Sequence, residues 1–80
     1  MPSTDITVKE LGERIGQAIR ELRSESGLSQ KALAEACHCT RKTVANYEGG
    51  KRTSFEGLVL LLRMSKALGV GIGDIVRPRS

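Results

Sequence analysis

Eighty residues, 39% apolar, 28% charged and 2% aromatic, make one small domain with an aliphatic core and leave no room beside it for a catalytic or effector domain. Thirteen Lys and Arg against nine Asp and Glu give a net charge of +4, a balance that suits a nucleic-acid partner without requiring one. The longest apolar run, LVLLL at 58–62, is too short for a membrane span and the start is too polar for a signal peptide, while two cysteines one residue apart do not make a secreted disulfide framework; the expected location is cytoplasmic, with no membrane partner.

Residues 1–6 read as a flexible N-terminal arm. Thr7 with Glu10 three residues later fits a capping box, and apolar Val8, Leu11, Ile15, Ile19 and Leu22, with Ala18 beside them, recur at helical spacing. Gly12 and Gly16 weaken such a helix by up to ~1 kcal/mol each relative to Ala, so they are expected to mark close approach by another helix; Gly27 ends it.

Ser29 is the next N-cap, followed by a two-turn helix with Ala32, Leu33, Ala36 and Cys37 as its apolar stripe. His38, Cys39 and Thr40 break it, and Thr40 caps a third helix. There Val44 and Tyr47 point inward, Arg41, Lys42, Ala45 and Asn46 fall on the other side, and Gly49 and Gly50 stop the helix. A loop with Lys51 and Arg52 follows, then a second capping box at Thr53 and Glu56. The segment from Ser54 to Leu68, with Phe55, Leu58, Leu61, Leu62, Ala67 and Leu68, is expected to be the most buried helix; its excess apolar surface, with Met64 and Phe55, could also feed a dimer interface. Gly69 ends it, Ile72, Ile75 and Val76 form one last short turn, and 77–80 is a flexible tail.

Two short capped helices joined by a tight turn are the layout of a helix-turn-helix. A helix about 10–12 Å across fits the major groove, about 12 Å wide. The stretch LSQKALAEACHCTRKTVANYEGGKR, 28–52, resembles the phage-repressor and Cro family, also called the XRE family: SerGln at 29 and 30, LeuAla at 33 and 34, Glu48 with Gly50 and Lys51, and AlaLeuGlyVal at 67–70 match its hallmarks. The resemblance, which extends from about Leu11 to Val76, implies an all-α, lambda-repressor-like five-helix DNA-binding domain over 7–76.

It also implies roles. Gln30 would touch the DNA backbone; Arg41 and Lys42, then Ala45 and Asn46, would meet base edges; Lys51 and Arg52 would contact phosphate; Arg23 would pair with Glu48. The chemistry agrees, because Arg and Lys match guanine O6 and N7, and Asn matches adenine. Thr40 and Thr43 carry hydroxyls suited to phosphate, at a helix start with open N–H groups. The family usually has Gly in the turn where this chain has His38, a position that tends to need positive φ, and Pro where this chain has ThrSer.

The other motifs point less far. Zinc needs four ligands, and CysHisCys at 37–39 offers three with no second cluster, so Cys37 reads as core and no metal or cofactor is expected. His38 beside Cys39 lacks a third orienting group for catalysis, and GlyGlyLysArg has neither the spacing nor the preceding strand of a P-loop. The expected function is therefore not enzymatic: a transcriptional repressor that binds double-stranded DNA as a homodimer. The alternative is the antitoxin of a toxin–antitoxin pair, binding both DNA and a toxin partner.

Overall fold

A computed structural model describes residues 7–50 and 55–76, with only the backbone described at Val8, Phe55 and Glu56. The expected arm at 1–6 and tail at 77–80, the loop residues Lys51 and Arg52, and the capping box of Thr53 with Glu56 lie outside the described residues. Among the described residues five helices run in order: α1 (Val8–Glu25), α2 (Gln30–Ala36), α3 (Arg41–Glu48), α4 (Phe55–Leu68) and α5 (Ile72–Val76). The architecture is all-α, as the periodicity indicates.

The first three helices begin on side-chain caps. Thr7 accepts from the Glu10 N–H at 3.0 Å, Ser29 from Ala32 at 3.0 Å and Thr40 from Thr43 at 3.2 Å, each satisfying a donor that the first helical turn leaves open.

Three of the helices end in a shared geometry. After α1, Gly27 turns left-handed at φ +72°, the Gly27 N–H reaches the Ser24 carbonyl, and the Leu28 N–H reaches that of Arg23. After α4, Gly69 does the same, with its own N–H on Lys66 and that of Val70 on Ser65. After α2 the left-handed residue is His38, at φ +58°, with its N–H on Glu35 and that of Cys39 on Ala34. All three are Schellman ends, and the one inside the helix-turn-helix is built without glycine.

The core joins one stripe from each helix. Ile15, Ala18, Ile19 and Leu22 of α1 meet Leu33 and Ala34 of α2, Cys37, Val44 of α3, Leu61, Met64 and Leu68 of α4, and Ile75 of α5. On α2 the inward alanine is Ala34 and Ala36 is exposed, which corrects the expected stripe. Residues 33, 34 and 37 lie on one side of the helix, and position 36 turns away from it.

Helix α4 is also corrected. Leu61, Met64, Ser65 and Leu68 are buried, whereas Leu58 and Leu62, expected among the apolar core residues of this helix, are about half exposed, as is Val59. Met64, assigned above to an outer surface, has no exposure at all. The apolar residues of α4 form two stripes, and a single core covers only one.

Gly16 sets the distance between α1 and α3. A Cβ there would collide with the Tyr47 carbonyl oxygen and lie 2.8 Å from that of Glu48. The end of α3 thus rests directly on the backbone of α1, at one of the two glycines expected to mark such an approach.

Candidate nucleic-acid interface

Helix α3 is held from behind and open in front. Val44 is fully buried and Glu48 is 7% exposed. Arg41, Lys42 and Asn46 are exposed, and Ala45 and Thr43 are partly so. At 3.6 residues per turn 41, 42, 45 and 46 share a face turned away from Val44 and Tyr47, while Glu48, two turns on from Arg41, is buried at the helix end. The four residues expected to meet bases therefore form one outward surface.

Thr40 is exposed at the start of that surface, and its hydroxyl lies 2.9 Å from that of Thr43. One hydroxyl hydrogen is spent in that contact, which leaves the other for an acceptor from outside. Lys51 and Arg52, expected at phosphate, are outside the described residues.

Behind the surface is a buried carboxylate. The Arg23 guanidinium donates from Nε to Glu48 Oε2 at 2.5 Å and from Nη2 to Oε1 at 3.1 Å, a bidentate fork. Arg23 Nη1 donates to the Leu28 carbonyl at 2.8 Å, which ties the loop before α2 to the same group. Burial works against the charge on Glu48; the hydrogen bonds from Arg23 and Gln30, with the attraction of Arg23 and Arg20, outweigh it and hold the carboxyl below its ordinary range. Arg23 shifts up, because the hydrogen bond to Glu48 exceeds the cost of its burial.

Two features went unread in the sequence. Gln30 Nε2 donates to Glu48 Oε1 at 3.0 Å, and Gln30 Oε1 accepts from Arg41 Nη1 at 3.0 Å, so Gln30 has two protein partners. Arg20 Nε lies 3.7 Å from Glu48 Oε1, with an exposed side chain. Arg20 and Arg23 are three apart on α1 and so share a face, a signal that could have located the second arginine. No local pattern relates position 30 to position 48.

The cysteine motif resolves into packing. Cys37 is fully buried and Cys39 partly so. Burial pushes both thiols up, with Cys39 adding to the effect on Cys37 and Arg63 opposing it at both. A protonated thiol is a poor ligand and a poor nucleophile. Among the described residues no three His, Cys, Asp or Glu side chains gather as a metal site.

A sequence model of the helix-turn-helix domain matches residues 7–76. The chain belongs to the helix-turn-helix family. Its resemblance to the phage-repressor and Cro (XRE) proteins stands with that match and with the five-helix fold.

Among individual relatives of this helix-turn-helix chain, a protein described as an HTH-type transcriptional regulatory protein, from Methanothermobacter thermautotrophicus, is 45% identical over 47 residues. That match covers 58% of this chain, and the chain spans only 15% of the length of that curated relative. Two solved structures superpose over most of the chain. A hypothetical transcription factor, NHTF, from Neisseria is 26% identical with a TM-score of 0.79, over 98% of this chain and 87% of that one. The restriction-modification controller protein C.AhdI from Aeromonas hydrophila is 34% identical with a TM-score of 0.73, over 80% and 94%. Among the described residues no helix is long and apolar enough to cross a membrane.

Proposed function

We propose that this helix-turn-helix protein is a sequence-specific DNA-binding regulator of transcription, a repressor that acts by occupying its operator, with residues 7–76 as the DNA-binding unit. The observation that carries the reading is the division of α3: Val44 and Glu48 are buried and anchor it, while Arg41, Lys42 and Asn46 stand exposed. Arg41 and Lys42 would pair with guanine edges, Asn46 with adenine, and Ala45 would pack on a thymine methyl. Gln30, Thr40, Thr43, Lys51 and Arg52 would hold phosphates on either side. The names of the similar proteins, a transcription factor and a restriction-modification controller among them, support a role in transcription.

One recognition helix reads only a few base pairs, so two copies are needed for a selective site. A symmetric homodimer would place its two helices in successive major-groove turns, about 34 Å apart. The half-exposed Leu58, Val59 and Leu62 of α4, with Ile72 and Val76 of α5, supply an apolar surface for such pairing. A cytoplasmic location fits this role.

Selection from a pool of random duplexes, followed by sequencing of the bound fraction, tests the proposal. A palindromic consensus is expected. Failure of any sequence to become enriched at low ionic strength would refute it.

A further inference from the structure

Cys37 and Cys39 are the chain's two cysteines, and the turn between α2 and α3 brings them to one side. In a continuing helix, residues two apart point about 200° from each other, so a Cys-X-Cys pair would be split between core and solvent. Here His38 turns left-handed at φ +58°, and the Cys39 N–H folds back onto the Ala34 carbonyl at 2.9 Å. A helix end of this kind sets the residue after the left-handed one against the third residue from the end of the helix. Ala34 and Cys37 lie on the buried side of α2, Cys39 packs on the same core, and His38 between them is exposed. Cys37 is closed to solvent and Cys39 is partly open, which leaves an approach from the Cys39 side.

Arg63 of α4 is within electrostatic reach of both thiols. Burial pushes both up, Cys39 adds to the push on Cys37, and Arg63 opposes it at both. Negative charge on either sulfur is therefore felt by Arg63.

We propose that Cys37 and Cys39 form a two-coordinate site for a soft, closed-shell monovalent cation of the Cu(I) class, with Arg63 balancing its charge. Thiolates select such ions, and two sulfurs in line complete their shell. Zinc takes four ligands, and among the described residues no three His, Cys, Asp or Glu side chains gather. Binding replaces two S–H bonds with two metal–sulfur bonds and releases two protons to solvent. No electron is transferred. Two thiolates and one monovalent cation carry a net charge of −1, the sign that Arg63 attracts. Both thiols are protonated before binding, so only an ion that bonds sulfur strongly displaces the protons. The site does not depend on α3 reading DNA.

The test titrates Ag(I), an air-stable ion of this class, into the freshly reduced full chain, free of chloride and added thiols. Calorimetry in buffers of different ionisation heat counts ions and protons. One Ag(I) per chain and two protons per ion are expected. The melting temperature should rise by roughly 10 °C or more when free Ag(I) is about a hundredfold above its dissociation constant. Cys39→Ala and Cys37→Ala should each weaken binding by more than about a hundredfold, because a single thiol replaces a chelating pair. If Cys37→Ala does not fold, Cys39→Ala decides. Arg63→Gln, on an exposed side chain, should weaken binding about threefold at low salt. Zn(II) should leave the melting temperature unchanged.

Two Ag(I) per chain would mean independent thiols, and half an ion per chain would mean Cys39 bridging two chains; either overturns the proposal. A lower melting temperature with Ag(I), the sign of preferential binding to the unfolded chain, also overturns it. So does undiminished affinity in folded Cys39→Ala, or stabilisation by Zn(II). Equal affinity in Arg63→Gln would remove the role given to Arg63.

Discussion

Arg23 near the end of α1 and Glu48 at the end of α3, 25 residues apart in sequence, face each other in a two-pronged ion pair closed to water on the carboxylate side. The pair joins α1 to the helix proposed to read DNA, whose end also rests on the α1 backbone at Gly16.

Removing Arg23 leaves the buried Glu48 only Gln30 and the more distant, exposed Arg20, and removing Glu48 leaves Arg23 without its carboxylate. Arg23→Ala or Glu48→Ala should each cost ~3–5 kcal/mol, because a buried charge loses its counter-charge. A domain of this length has roughly 4–12 kcal/mol in total, so either variant should sit near its unfolding transition. Replacing both, as Arg23→Met with Glu48→Leu, should cost much less than the sum. Urea unfolding of the two single variants and the double one measures this; additive losses would show that the pair is not coupled.

The same pair gives the fold an acid limit. Glu48 titrates lower in the folded state than in the unfolded chain, so its contribution to stability is complete above the unfolded pKa, about 4.3, and is lost as pH falls through the lower folded value. The urea midpoint of wild type should therefore drop below about pH 4 more steeply than that of Glu48→Gln, which has no carboxylate at 48 to protonate. Parallel acid limbs in the two proteins would count against it.

His38 holds a left-handed backbone at the centre of the helix-turn-helix, where the equivalent ends of α1 and α4 use glycine. An L-residue in that region costs roughly 1–2 kcal/mol, and the extra freedom of glycine in the unfolded chain returns about half of this. His38→Gly should gain ~0.5–1 kcal/mol, seen as a melting temperature higher by about 2–8 °C. His38→Val, branched at Cβ, should lower it. A glycine variant that melts below wild type would show that the His38 side chain contributes more than its backbone strain removes.

The two stripes of α4 should respond differently to substitution. Met64→Ala, in the core, should cost ~2–5 kcal/mol. Leu62→Glu, on the half-exposed stripe, should change the stability of the single chain by less than about 0.5 kcal/mol but shift dimers toward monomers. Sedimentation equilibrium beside thermal unfolding separates the two effects. An unchanged association constant for Leu62→Glu would remove this face from the dimer interface.

The sequence by itself determined the elements and their ends. Caps at Thr7, Ser29 and Thr40, stops at Gly27, Gly50 and Gly69, and the spacing of apolar residues all act within one or two helical turns, so their effect is legible without the fold. The outward set Arg41, Lys42, Ala45 and Asn46 follows from the same periodicity, and the need for positive φ at His38 from the glycine that the family this chain resembles carries there. Only the tertiary structure decided which of two apolar stripes α4 buries, and so whether Met64 or Leu62 is core, because a helix with apolar residues on two sides has no preferred side until its neighbours cover one. Only the tertiary structure, too, brought Gln30 between Glu48 and Arg41. That contact joins three residues from two helices, and its direction depends on the burial of one carboxylate, a property of the assembled core.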